Sequence, residues 1–322
     1  MADITKADAL ALLARQDINE IIKPATSESV ALSTFRQVRM SAGTATMPVL
    51  SALPTAGFVN MHDSTADPVV EGRKPTTKVS WINKNLVAEE IAVIVPVHEN
   101  ILADSRFDIW GEVRPLVVQE FARVLDAAVF FGTNKPATWL DPALIPGAIA
   151  AGNEVVGGTG LDLAEDFNDA FGEVEDDGFD VNAAFTGRFL RRELRGLRDE
   201  NNQPIYLDAL RSDGNTASIY GQDLHYFTRG GWDRDVATAL VGDRSAVVIG
   251  IREDMQVKLL DQATIGTGAN QLNLAEMDMV ALRFKFRVAF ATAFSTAGGE
   301  ATDYPFAVIT PEEGGVDPGG RG

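Results

Sequence analysis

Arg73, Lys74, Lys78 and Lys84 place four cations within twelve residues of an otherwise acidic chain. The chain carries 28 Lys+Arg against 46 Asp+Glu, a formal net charge of −18. Locally only Glu71 opposes the four. Left in solvent they would form a charged edge of the kind that discourages aggregation. Carried on a projecting arm they would seek an acidic surface on another copy of the chain.

Other constellations offer less chemistry. His62, His98 and His225 are the three histidines, and no two share the i, i+4 spacing of a zinc-binding helix. Gly157-Gly-Thr-Gly160 and Gly266-Thr-Gly268 do not continue into a dinucleotide fingerprint or a phosphate loop, so both read as turns. No Gly-x-Ser-x-Gly elbow marks a hydrolase nucleophile. The acidic run Glu173-Val-Glu-Asp-Asp177 lacks the spaced oxygens and the glycine of a calcium loop, and reads as a solvated helix end. With no cysteine, thiolate catalysis and cysteine-held metal are excluded. The residues themselves point to no catalytic site, cofactor or metal.

The elements that must carry these residues follow from periodicity. Lys6 to Ile22 has a helical stripe that Pro24 ends. Phe35, Val38 and Met40 alternate, as do Met47 and Val49, which predicts short strands. Residues 54–77 are poor in large apolar side chains, a length that ordinary domains reserve for functional or outward-reaching segments. Residues 78–97 predict one long strand or two short ones. From Asp108 to Phe131 apolar residues recur at three- and four-residue spacing, predicting a long helix that is kinked at Pro115 or starts near Arg114. Residues 133–160 read as a Gly/Pro/Ala-rich connection. Helices are predicted over 163–177 and, basic and capped by Thr186, over 186–197. Strands are predicted over 179–185, 246–251, 255–260 and 304–309. In Met279 to Phe290, Val280, Leu282, Phe284, Phe286, Val288 and Phe290 share one face, with Arg283, Lys285 and Arg287 opposite, the pattern of a half-buried strand. The fold class is α+β.

Composition narrows the partners. A net charge of −18 disfavours sequence-specific nucleic-acid binding, which needs a basic surface. No apolar run reaches the length of a membrane span and no secretory signal opens the chain.

The order of segments resembles the tailed-phage major capsid proteins of the HK97-like fold. Four segments carry the resemblance. The first runs from Gly57-Phe58 through Glu71-Gly72 to Lys78-Val79-Ser80, on through Val93-Ile-Val-Pro-Val97 to Glu99-Asn-Ile-Leu-Ala-Asp-Ser105. The second is Asp108 to Gly132. The third comprises Leu197 to Tyr206, Ser218 to Gln222 and Val241 to Arg252. The fourth is Met279 to Phe290. Together they span about 55 to 295.

The resemblance implies an N-terminal arm with a short helix (1–54), an extended β-hairpin loop (55–90), and a peripheral domain with a long spine helix (91–138 and 272–297). It also implies an axial domain (139–271 and 298–311) and a disordered tail (312–322). The expected function is that of a major capsid protein, without enzymatic activity or cofactor. Its copies would assemble in the host bacterial cytoplasm, as hexamers and pentamers, into the icosahedral virion shell of a tailed double-stranded DNA phage. The packaged DNA would be contacted non-specifically, the acidic lumen keeping it mobile, and no membrane is involved. The resemblance leaves room for separate scaffolding, portal and decoration proteins as other partners. No long scaffolding segment precedes the arm, so a separate scaffold or prior cleavage stays open. The loop-lysine crosslink of some family members is not carried over, since nothing marks Lys74, Lys78 or Lys84 as its nucleophile. On this reading Arg73, Lys74, Lys78 and Lys84 would meet carboxylates of an adjacent subunit, with Glu112 and Glu120 of the spine helix as candidates. Two other functions are weighed: an encapsulin-like nanocompartment shell, which shares the fold, and an acidic soluble hydrolase.

Overall fold

The computed structural model describes residues 29–52, 80–104, 109–158, 162–197, 218–227, 230–266, 271–294 and 302–311. The expected N-terminal helix over 6–22, the segment 54–77 and the tail from 312 lie outside the described residues.

In chain order the described elements begin with helix α1 (Val30–Thr34) and strands β1 (Arg36–Arg39), β2 (Thr44–Ala52), β3 (Ser80–Val87) and β4 (Glu89–His98). Helices α2 (Glu99–Asp104), α3 (Ile109–Asp126) and α4 (Leu144–Ala151) follow, then β5 (Glu154–Val156), α5 (Leu163–Asp176), β6 (Ala183–Thr186) and α6 (Leu190–Gly196). Strands β7 (Ser218–Ile219), β8 (Gln222–Tyr226), β9 (Ala239–Gly242), β10 (Val247–Leu260), β11 (Thr264–Ile265), β12 (Leu272–Asn273), β13 (Met279–Thr292) and β14 (Phe306–Thr310) complete the set.

Helix α3 is the expected long helix. It starts at Ile109, five residues before Arg114, and runs through Pro115. Its inner stripe, Val117, Val118, Phe121, Ala122 and Leu125, is buried. One π turn, Ala127–Phe131, extends it and ends at Gly132, whose φ of 75° favours a residue without a Cβ.

Two sheets divide the described body. The first has order β1-β10-β13-β4. Strand β13 is central, paired antiparallel with β10 and β4. Its Leu282, Phe284, Phe286, Val288 and Phe290 join Val117, Val118, Phe121 and Leu125 of α3 in one core. The alternation read from the sequence therefore builds the expected face. Across the sheet, Lys285 Nζ lies 3.5 Å from Glu90 of β4 and 3.1 Å from Glu253 of β10, and Arg287 lies 3.7 Å from Glu253, so the polar face is a cross-strand ion ladder. The lysine beside Glu253 holds its carboxyl below the usual range.

The second sheet has order β5-β14-β9-β6-β8-β7. Its central strands β14, β9 and β6 are buried on both faces. Ala183, Phe185, Leu240, Phe306 and Val308 face the core shared with α3. Ala184, Ala239, Val241, Ala307 and Ile309 face a second core with α5 and α6. Residues 139–271 thus divide between the two sheets. The part up to Gly242 supplies β5 to β9 of the second, and Val247–Leu260 belongs to the first.

Several local expectations are corrected. Residues 144–151 form a helix within the expected connection, and 154–156 a strand. The predicted strand over 179–185 is confined to Ala183–Thr186. Thr186 does not cap the basic helix; it ends β6, its hydroxyl donates to the Thr238 carbonyl at 2.7 Å, and the helix starts at Leu190. The predicted strands at 246–251 and 255–260 are one strand, with register shifts between Ile251 and Gln256 where the two predicted pieces meet. His225 is partly buried and stacks on Phe185 at 5.5 Å, and this burial pushes its imidazole below the ordinary value.

Candidate assembly surface

Strands β2 and β3 form an antiparallel ribbon apart from both sheets. Its register runs from Thr44 opposite Val87 to Leu50 opposite Trp81. Threonine, valine, isoleucine and tryptophan suit a pleated ribbon, and Thr46 Oγ1 meets Asn85 Oδ1 across it at 3.2 Å. Nine residues at about 3.3 Å each give β2 a reach of about 30 Å. Near the end that leads into residues 53–79, Trp81 is 63% and Ile82 58% exposed. Exposed large apolar side chains at the end of the ribbon suit contact with another surface.

The root of the ribbon is tied to the body. The Ala88 amide donates to the Gly43 carbonyl at 2.8 Å. Leu86 and Ala88 pack with Met40, Val248, Ala289 and Ala291 in a small third core. Gly250 of β10 permits this approach, since a Cβ there would sit 2.5 Å from Met40 Sδ and 3.2 Å from Leu86 Cδ2. The Trp139 indole donates to the Val87 carbonyl at 3.0 Å, and its ring packs on Phe290 at 5.8 Å. Asp141 accepts from Lys84 Nζ at 2.6 Å on one oxygen and from the Thr292 amide at 2.9 Å on the other. Lys135 Nζ braces this loop by donating to the Trp139 and Asp141 carbonyls at 2.6 Å each. The loop between α3 and α4 thus holds ribbon and central strand together.

The sequence-predicted residues fall as follows. Arg73, Lys74 and Lys78 lie outside the described residues. Lys84 is turned onto Asp141 of its own chain. Glu112 lies in the first turn of α3. Glu120 sits on the outer side of α3, where Arg123 donates to its two oxygens at 2.8 and 2.5 Å and holds its carboxyl below the usual range. Leu116, on the same outer side, is 64% exposed. Lys84 and Glu120 share no contact. The residues missed from sequence are Trp139, Lys135 and Asp141; a lone tryptophan in a Gly/Pro/Ala-rich stretch was the available signal. Asp177, in the acidic run, is structural: it accepts from Asn153 Nδ2 at 2.7 Å and from the Tyr304 amide at 2.9 Å.

Among the described residues no group of three or more His, Cys, Asp or Glu is placed to hold a metal. What the geometry provides is a two-stranded ribbon tied to the body at its root, with Trp81 and Ile82 exposed near its other end. Fold and surface together give an α+β subunit with an exposed apolar patch and no metal cluster among the described residues. Comparison with known proteins agrees: the phage capsid family matches residues 11–297, and the chain belongs to that family. It is 28% identical over 257 residues to the major capsid protein of Staphylococcus phage 80alpha, covering 77% of this chain and 72% of that protein. A solved chain from Microbacterium phage Oxtober96 is 72% identical, with TM-score 0.80, covering 97% of this chain and 100% of that one. One from Mycobacterium phage Cain is 37% identical, with TM-score 0.77, covering 97% and 99%. The capsid chain of a native GTA particle, 15% identical with TM-score 0.58 over 90% of each chain, shares the fold. The family is one of structural shell proteins, so the hydrolase alternative is set aside.

Proposed function

We propose that this chain is the major capsid protein of a tailed double-stranded DNA phage, and that its copies gather as hexamers and pentamers into an icosahedral shell around the genome. The observation that carries this is the family match over residues 11–297, on a chain whose ribbon pairs with neither sheet and exposes Trp81 and Ile82 near its end. In this reading the α3 sheet half is the peripheral domain, the six-stranded half is the axial domain, and residues 55–90 form the extended loop over a neighbour. Residues before the ribbon serve as an arm. Portal and decoration proteins and a scaffold, either separate or a cleaved segment, are the further partners this reading allows, and packaged DNA meets an acidic lumen without sequence preference.

Within that assembly the basic patch meets carboxylates of an adjacent subunit. Lys84 is paired with Asp141 of its own chain, which leaves Arg73, Lys74 and Lys78 for the contact with a neighbour. Glu112 and Glu120 of a neighbour's α3 are the candidate acceptors, Glu120 together with its own Arg123.

Negative-stain microscopy of the purified chain tests the function: shells or capsomers are expected, and small single particles under every assembly condition would refute it. Lys74→Glu with Lys78→Glu tests the patch. The subunit should fold and yield fewer shells, most at low salt, where charges are least screened. Unchanged yield across a salt series would reduce the patch to solvated charge.

A further inference from the structure

Helices α5 and α6 cover the same face of the six-stranded sheet, and both bury their apolar residues in one core. Their outer surfaces carry opposite charge. On α5, Asp169, Glu173 and Asp176 are exposed, and the helix contains no Lys or Arg. With Glu154 of β5 these three line a shallow groove of about 490 Å³. Strand β5 is an edge of the sheet, so the groove lies along that edge.

The basic residues lie toward the other half. Arg188, in the turn before α6, and Arg191, Arg192 and Arg195 on it recur at three- and four-residue spacing, all exposed. That spacing lines them on one helix face, while Leu190 and Leu194 point into the core. The Arg191 guanidinium stacks 4.1 Å over the ring of Tyr226, at the end of β8. Among the described residues no carboxylate ion-pairs with Arg188 or Arg192, and no cation with Asp169 or Glu173. Arg188 and Arg192 thus present exposed guanidiniums on a chain of net charge −18, cations that an acidic surface of another copy can meet.

We propose that the arginine stripe of α6 docks on the acidic β5 flank of an adjacent copy, joining the six-stranded-sheet halves head to tail. The inference rests on the shell reading above. Charge complementarity within a single chain selects this partner. A two-fold contact of either flank on itself would set like charges together, whereas a head-to-tail contact pairs opposite ones, and a rotation that closes turns such contacts into rings. Each exposed ion pair is weak, but a ring repeats the set at every interface, and complementary potentials fix orientation and speed encounter.

Three variants test the contact: Arg188→Glu with Arg192→Glu, Asp169→Arg with Glu173→Arg, and all four together. All these side chains are exposed, so each subunit should keep the wild-type circular dichroism and melting temperature. Sedimentation at low salt should show the assembled fraction reduced about tenfold in either double variant. The gap should narrow at high salt, and the fourfold variant should recover. Arg188→Gln with Arg192→Gln, milder for folding, should show a smaller loss of the same sign. A double variant that assembles at wild-type yield, or a fourfold variant that stays dispersed, overturns the contact alone. A wild-type chain that never assembles removes the shell reading and the contact with it.

Discussion

Ser29 Oγ donates to Asp126 Oδ1 at 2.7 Å across 97 residues of chain, and both residues are buried. The Ala31 amide reaches the same oxygen and the Val30 amide the other, each at 3.0 Å. The last residue of α3 thus caps the first turn of α1, supplying the acceptor that helix N-termini require. The joint fixes the start of the described chain to the long helix just before its π turn. Burial pushes the Asp126 carboxyl from an ordinary 3.8 up to about 6, and the three donors offset this only in part.

That shift sets a pH dependence. Between about pH 4 and 6 the folded chain holds a proton at Asp126 that the unfolded chain has released. Stability from this site is therefore full below the unfolded value and is lost as pH rises through the folded one. Two pKa steps correspond to at most about 3 kcal/mol. Chemical denaturation of wild type and Asp126→Asn across this window should differ in slope, the wild type losing more stability on going from pH 4 to 7. Parallel curves would show that Asp126 does not titrate there.

Removing the acceptor altogether should cost more than removing one donor. Asp126→Ala strands a hydroxyl and two amides away from water, for about 3 kcal/mol or more. Ser29→Ala leaves the two amide bonds in place and should cost about 1 kcal/mol. Denaturant midpoints check the order; equal losses would mean that Ser29 carries the joint.

The Lys84–Asp141 pair is local in effect. Lys84→Met keeps the aliphatic stem and leaves Asp141 bonded to the Thr292 amide. Global stability should fall by about 1 kcal/mol or less. Amide exchange in Thr44–Val49 and Ile82–Val87 should rise while that of β13 stays unchanged. Exchange unchanged throughout the ribbon would show that Trp139 and the third core suffice to root it.

Phe284 is fully buried on the central strand of the first sheet. Phe284→Ala should cost about 3–5 kcal/mol, and Phe284→Asp, which buries a charge without a partner, should prevent folding. Soluble, assembling protein from the aspartate variant would contradict the face assignment.

The sequence by itself determined the elements whose surroundings impose a period. β13 is buried on one face along most of its length, so its alternation was plain in Leu282 to Phe290. The same held for α3, half against the core, and for α5, whose N-cap Asp162 accepts from the Ala164 and Glu165 amides. Where the exposed face of an element is itself apolar, the period is hidden. Leu144–Ala151 buries Leu144, Ile145, Gly147 and Ala148 but leaves Pro146, Ile149 and Ala150 exposed, so no polar face marked it, and its Pro and Gly made it look like a connection. Only the tertiary structure decided the rest. Asp126 read as one more polar residue of an amphipathic helix, and its three donors come from a segment almost a hundred residues away. Lys84 read as one of four like charges, yet the loop holding Asp141 folds back onto the ribbon and pairs with it. The opposite charges of α5 and α6 were visible singly in the sequence. That they flank two halves of one sheet face follows from the strand order β5-β14-β9-β6-β8-β7, which depends on contacts between residues far apart in the chain, and local periodicity does not encode those.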